Sequence, residues 1–127
     1  MIDVTLRRLM LATVLVLATT VSGSAKTTRT SFDGSWSVVI ITDAGTCDRA
    51  YRYGIRIAGG QLHYDGGMGV ALSGQVTPNG NVSVSLSQGA AVARGSGRLS
   101  KSAGSGRWQG ASPNLRCSGH WQAERLG

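Results

Sequence analysis

The residues of this chain able to take part in chemistry are few and scattered. His63 and Asp65 lie two apart, so on an extended strand they share a face, and His120 is the only other histidine. Two imidazoles and a carboxylate form a metal-ligand set, but no turn in the sequence carries His120 to His63. The plainer reading is three exposed polar side chains, with no metal expected. Serines are abundant, yet none stands in a nucleophile elbow or beside an evident base. The carboxylates Asp33, Asp43, Asp48, Asp65 and Glu124 fall at strand ends and in loops, with no spacing that sets two across a scissile bond. An enzyme is therefore the least favoured reading, and no cofactor is expected.

Two other groups suit binding better than catalysis. Tyr51, Tyr53, Tyr64, Trp108 and Trp121 are candidates to line an apolar cavity; the alternative is that these rings fill a core above glycines. Arg52 and Arg56 share one strand face, and Arg94 and Arg98 share another, with Arg107 alongside. Such arginines could form a patch for anionic surfaces such as lipopolysaccharide or acidic polysaccharide. The alternative is solubility and protection of strand edges. Nucleic acid is not expected, since no aromatic platform interleaves the basic residues.

The N-terminus points to a compartment. Arg7 and Arg8 precede an apolar run from Leu9 to Val21, and Ser22-Gly23-Ser24-Ala25 supplies small residues at −3 and −1 of a cleavage site. The run falls short of the ~20 apolar residues that span a bilayer. Residues 1–25 thus read as a secretory signal, 26–31 as a flexible leader and 32–127 as one domain, periplasmic or extracellular after cleavage. No membrane-spanning segment is expected in the mature chain. The whole chain carries 13 basic and 6 acidic residues, a net charge of +7. Its two cysteines, Cys47 and Cys117, suit an oxidising compartment and a single disulfide.

Alternating apolar residues dominate after Gly34, as in half-buried strands. The sequence predicts strands over 35–42, 49–58, 61–64, 70–77, 81–87, 91–100, 105–112 and 116–125. Val39 and Ile41 make the first strand apolar on both faces, which predicts cover on both sides. Gly59-Gly60 suits a two-residue hairpin that pairs Ile57 with Leu62 and Ile55 with Tyr64. Pro78-Asn79-Gly80 suits a three-residue loop that pairs Val76 with Val82 and Leu72 with Leu86. A hairpin around Ala103-Gly104 would set Leu99 against Trp108 and Gly97 against Gly110. Eight antiparallel strands in a meander predict an all-β, up-and-down barrel, with a two-sheet β-sandwich as the alternative. In the barrel, the Cys47–Cys117 bond joins the end of the first strand to the start of the last. Trp36 and Trp121 are expected towards the opposite end.

Gly-x-Trp occurs three times, as Gly34-Ser35-Trp36, Gly106-Arg107-Trp108 and Gly119-His120-Trp121. The first resembles the first-strand signature of the lipocalin and calycin barrels. That resemblance implies that Trp36 closes the barrel floor against a basic residue near the chain's end, a role open to Arg125. The signature covers only a few residues, and the chain is shorter than a lipocalin and has no C-terminal helix segment. The export signal, Gly/Ser-rich meander, single cysteine pair and closing Gly-x-Trp are together similar to small secreted β proteins of alphaproteobacteria, which implies a compartment and no activity.

The expectation is a non-catalytic exported binding module whose partner is a small apolar ligand or a secreted or periplasmic protein. Small periplasmic protease inhibitors with one disulfide and eight strands offer an architectural precedent, by analogy of fold alone. The alternative is an envelope-associated structural protein that uses an arginine face on anionic polymers.

Overall fold

The computed structural model describes residues 15–18, 30–67 and 69–127. The secretory signal expected at 1–25 and most of the leader lie outside the described residues, except for 15–18, which belong to no helix or strand. Eight antiparallel strands follow: β1 (Gly34–Ala44), β2 (Ala50–Ala58), β3 (Gln61–Tyr64), β4 (Ala71–Val76), β5 (Asn81–Gln88), β6 (Ala91–Leu99), β7 (Ala103–Ser112) and β8 (Leu115–Leu126). Each pairs with the next, and β8 pairs with β1, so the sheet closes into a barrel. The sandwich alternative is not what forms.

Closure follows from the alternation. Trp36, Val38 and Ile40 of β1 point inward with Tyr53, Ile55 and Ile57 of β2, and the register pairs Trp36 with Ile55 and Val38 with Tyr53. Arg52 and Arg56 point out. Apolar-in and polar-out is the reverse of a lipid-facing barrel, which needs an outward apolar band. Among the described residues no helix is long and apolar enough to cross a membrane.

The seam between β1 and β8 runs from Ser35↔Leu126 to Ala44↔Ser118, with a bulge between Thr42 and Ala44. The Cys47–Cys117 disulfide lies just beyond it, spanning 70 positions of sequence with a Cα–Cα distance of 6.2 Å. Trp36 sits at the opposite end as expected. Trp121 instead faces Ile40, midway up the seam.

Two hairpins form in the expected register: Ile57↔Leu62 and Ile55↔Tyr64, then Val76↔Val82 and Leu72↔Leu86. The third does not. Leu99 pairs with Gly104 and Gly97 with Gly106, four positions from the expected register. The turn is Ser100–Ala103, closed by the Ser100 N–H donating to the Ala103 carbonyl at 2.7 Å. An even shift leaves every side chain on its expected face, so inward residues stay inward. This register brings Gly97 and Gly106 together beneath the Trp121 ring.

Two further expectations change. Among the described residues no second layer covers the outer face of β1; Val39 and Ile41 are only half-buried, flanked by Arg52, Gln122 and His120 on the neighbouring strands. The leader is not loose at its end. The Thr30 hydroxyl donates to the Asp33 carboxylate, and the Ser31 carbonyl accepts from Arg125 at 3.0 Å.

Candidate functional site

The barrel has a closed end and an open end. Phe32 folds under the strands and is 8% exposed; Trp36 above it is 1% exposed, and both pack with Val76, Val82, Leu99 and Ala123. The Trp36 indole donates to the Phe32 carbonyl at 2.9 Å. Arg125 lies over the Trp36 ring, 5.3 Å from its centroid, a cation–π arrangement. Its guanidinium also donates to the carbonyls of Ser31, Lys101 and Asp33. One rigid fork thus joins the chain entry, the β6–β7 turn and β8.

Asp33 completes this floor by accepting from the backbone amides of Gly59 and Gly60 at 2.9 and 3.2 Å. Desolvation works against its charge, but the Thr30 hydroxyl and the Gly59 and Gly60 amides outweigh it. They lower the carboxyl to about 2.

Above the floor is an apolar cavity of about 360 Å³ that opens at the disulfide end. Its walls include Val38, Ile40, Tyr51, Tyr53, Leu72, Leu86, Ala93, Trp108, Leu115 and Trp121, with Cys47 at the rim. Among the described residues Arg94 is the one charged residue along it, and Arg94 holds an outward position between the inward Ala93 and Gly95. The wall is lowest at β3, which is four residues long and shares one register pair with β4, Gln61↔Gln75.

The glycines of β6 and β7 set the shape of this space. A Cβ on Gly97 would strike the Trp121 ring and the Ser105 carbonyl; one on Gly106 would come within 2.6 Å of the same ring and meet the Ser96 carbonyl. Trp121 therefore lies flat across bare backbone, and its indole donates to the Ser96 carbonyl at 3.2 Å. Trp108 uses a similar gap. Its indole passes Gly119 and donates to the Ile41 carbonyl at 2.9 Å. With both rings against the wall, their indole N–H groups are satisfied and the centre stays open.

Four of the five expected lining residues, Tyr51, Tyr53, Trp108 and Trp121, border the cavity. Tyr64 does not. It meets Tyr53 edge-on at 5.8 Å and lies over Gly66, whose missing side chain makes the space. Tyr51 stacks on Tyr53 with centroids 6.2 Å apart and accepts from the Asp48 amide. Burial, with lesser contributions from Tyr51 and Tyr64, raises the Tyr53 phenol above its ordinary value. Tyr53 thus stays a neutral hydroxyl within an apolar wall. Leu72, Leu86, Ala93 and Leu115 also line the space. Strand alternation marks the first three as inward, but nothing in the sequence separates a wall from a filled core.

The arginines do not form one patch. β2 and β6 lie four strands apart in a closed eight-stranded barrel, so Arg52 and Arg56 are on the wall opposite Arg94 and Arg98. Arg56 approaches Asp65 at 3.6 Å, and Arg52 donates to the Ser37 hydroxyl at 2.8 Å. Arg107 does lie beside its expected partners, opposite Ser96 on β6 and so between Arg94 and Arg98.

The histidines also stay apart. His63 faces Arg56 across β2–β3, whereas His120 on β8 bonds Asp43 at 2.7 Å. Among the described residues no three potential ligands converge.

No family model, no curated protein and no solved structure matches this chain. The site's own chemistry is thus the basis for reading function.

Proposed function

We propose that this protein is a non-catalytic binding module, exported after cleavage of its N-terminal signal, that takes a small apolar molecule into the barrel. The observation that carries this reading is the cavity of about 360 Å³ above a closed floor. Ligand sites are typically concave, apolar and pre-formed, with few polar groups for orientation. Here the Tyr53 hydroxyl supplies such a group, and the stacked Tyr51–Tyr53 pair offers aromatic faces. The ligand's buried part is uncharged, because among the described residues no inward-facing ionic side chain borders the space to offset the cost of desolvating a charge. The disulfide at the seam accords with export into an oxidising compartment. The Trp36–Arg125 floor accords with the lipocalin-like resemblance of Gly34-Ser35-Trp36.

The test uses N-phenyl-1-naphthylamine, an uncharged fluorophore that brightens in apolar surroundings. The mature protein should bind it at one site and quench the fluorescence of Trp108 and Trp121. Ala93→Phe places a ring in the cavity and should abolish the signal while the domain still melts cooperatively. Leu86→Phe, which fills a neighbouring wall position, is the companion variant. Probe binding unchanged by both variants, or no binding by the parent protein, would overturn the proposal.

A further inference from the structure

The outer wall of the barrel carries a second candidate surface. Charge is divided unevenly along the chain. From Ala71 to Gly127 there are six Lys and Arg residues and one carboxylate, Glu124; from Thr30 to Val70 there are three arginines and four aspartates. Closure turns this division into a geometric one, because β4 to β8 form one continuous stretch of wall. Arg94, Arg98 and Arg107 stand at its centre. Arg107 is opposite Ser96, midway between the other two, which are about 13 Å apart along β6 at ~3.3 Å per residue.

These three differ from the pair on β2. Arg56 has Asp65 and Arg52 has Ser37. Among the described residues, Arg94, Arg98 and Arg107 make no ion pair. Glu124 pairs with Ala103, four residues along β7 from Arg107. Their outward neighbours are polar: Ser85 and Gln109 lie opposite Arg94, Asn81 and Ser105 opposite Arg98, and Ser96 and His120 opposite Arg107, with His120 bonded to Asp43 at 2.7 Å. The result is a polar wall from which three long cations project.

We propose that this wall docks an acidic polysaccharide. Arginine forks match carboxylates bidentately, and the surrounding serine hydroxyls and the Asn81 and Gln109 amides offer donors and acceptors to sugar hydroxyls. Among the described residues the wall exposes no Phe, Tyr or Trp ring on which a nucleobase could stack. The exposed apolar side chain beside the arginines, Val92 at 46%, is too small by itself to anchor the wall in a lipid surface.

The test measures binding of the mature protein to polygalacturonate, with dextran as the neutral control. Polygalacturonate should bind and dextran should not, with affinity falling as salt screens the exposed charges. The triple variant R94S/R98S/R107S should bind about tenfold or more weakly, from three exposed charge contacts of modest strength each. The control R52S/R56S should bind as the parent does. Near-ultraviolet circular dichroism should be unchanged in both variants. No polygalacturonate binding, equal losses in both variants, or tighter binding to anionic phospholipid vesicles or single-stranded DNA would overturn the proposal.

Discussion

Alanine at Gly97 tests whether bare backbone is what holds Trp121 in place. The new Cβ would meet two obstacles: the Trp121 ring, which can move, and the Ser105 carbonyl on the paired strand, which can yield only if β6 and β7 separate. Overpacking costs about 1–3 kcal/mol in a well-packed interior. With a backbone obstacle present, the expected loss is in the upper part of that range, about 2–3 kcal/mol. Relief of glycine's strand penalty, roughly 0.5–1 kcal/mol, offsets part of it. A net loss near 2 kcal/mol corresponds to a fall in Tm of about 10 °C in a domain of this size. Trp121→Ala alone should cost about 3–5 kcal/mol. If ring and glycine are coupled, Gly97→Ala should cost at least ~0.5 kcal/mol less in the Trp121→Ala background. Urea denaturation of the four proteins in this cycle measures the coupling. A Gly97→Ala protein as stable as the parent, or an equal cost in both backgrounds, would refute the account of the glycine wall. The displaced ring should also enter the cavity, so naphthylamine affinity should fall in Gly97→Ala.

Replacing Cys47 and Cys117 together with alanine removes a link across 70 residues of sequence; loop-closure entropy puts the loss at about 4 kcal/mol as an upper guide, visible in thermal melts, and an unchanged Tm would exclude a stabilising role for the bond. Asp33 has a carboxyl lowered to about 2, so its stabilising effect is complete above the ordinary carboxyl value near 4. That effect is lost as pH falls through 2. Asp33→Asn should lower stability at pH 7 and narrow its gap from the parent between roughly pH 4 and 2, as melts across that range would show. Arg125→Lys keeps the charge but loses the fork that reaches three carbonyls; a loss of about 1–3 kcal/mol is expected, and a parent-like denaturation midpoint would show that charge alone suffices.

The parts legible in the sequence are those where side chains or turn residues choose one register. Ile55, Ile57 and Leu62 fix the β2–β3 hairpin because a one-residue slip would expose all three. The Pro78-Asn79-Gly80 loop does the same for β4–β5. The β6–β7 hairpin offers no such choice, since its inward positions are mostly Ala and Gly and any even shift looks alike. Its register depends on which glycines lie beneath Trp121, a contact with another strand. The two arginine walls were likewise visible as strand faces but not as opposite sides, because only closure places β2 across from β6. No strand pattern marks Phe32, because it precedes the first strand and is buried through the turn held by Thr30 and Asp33. The cavity was half legible. Alternation identifies the inward residues, whereas emptiness depends on their volume against the width of an eight-stranded barrel.

That volume argument links the fold to the proposed function. A barrel of eight strands can be filled by its own side chains, and here the sector from β1 to β5 uses Trp, Val, Ile, Tyr and Leu in the ordinary way. The sector of β6 and β7 instead points Ala93, Gly95, Gly97, Gly104, Gly106 and Gly110 inward. Trp121 covers Gly95, Gly97 and Gly106, Trp108 lies beside Gly110 and Leu99 covers Gly104; the two indoles are bound to carbonyls at Ser96 and Ile41. Had the rings reached into the centre, the same residues would have made a solid core. A cavity that exists because two large rings are anchored against the wall costs burial and dispersion energy that a filled core would have kept. Its retention beside a floor as heavily cross-linked as Phe32, Asp33, Trp36 and Arg125 make it is the physical ground for reading the space as a binding site.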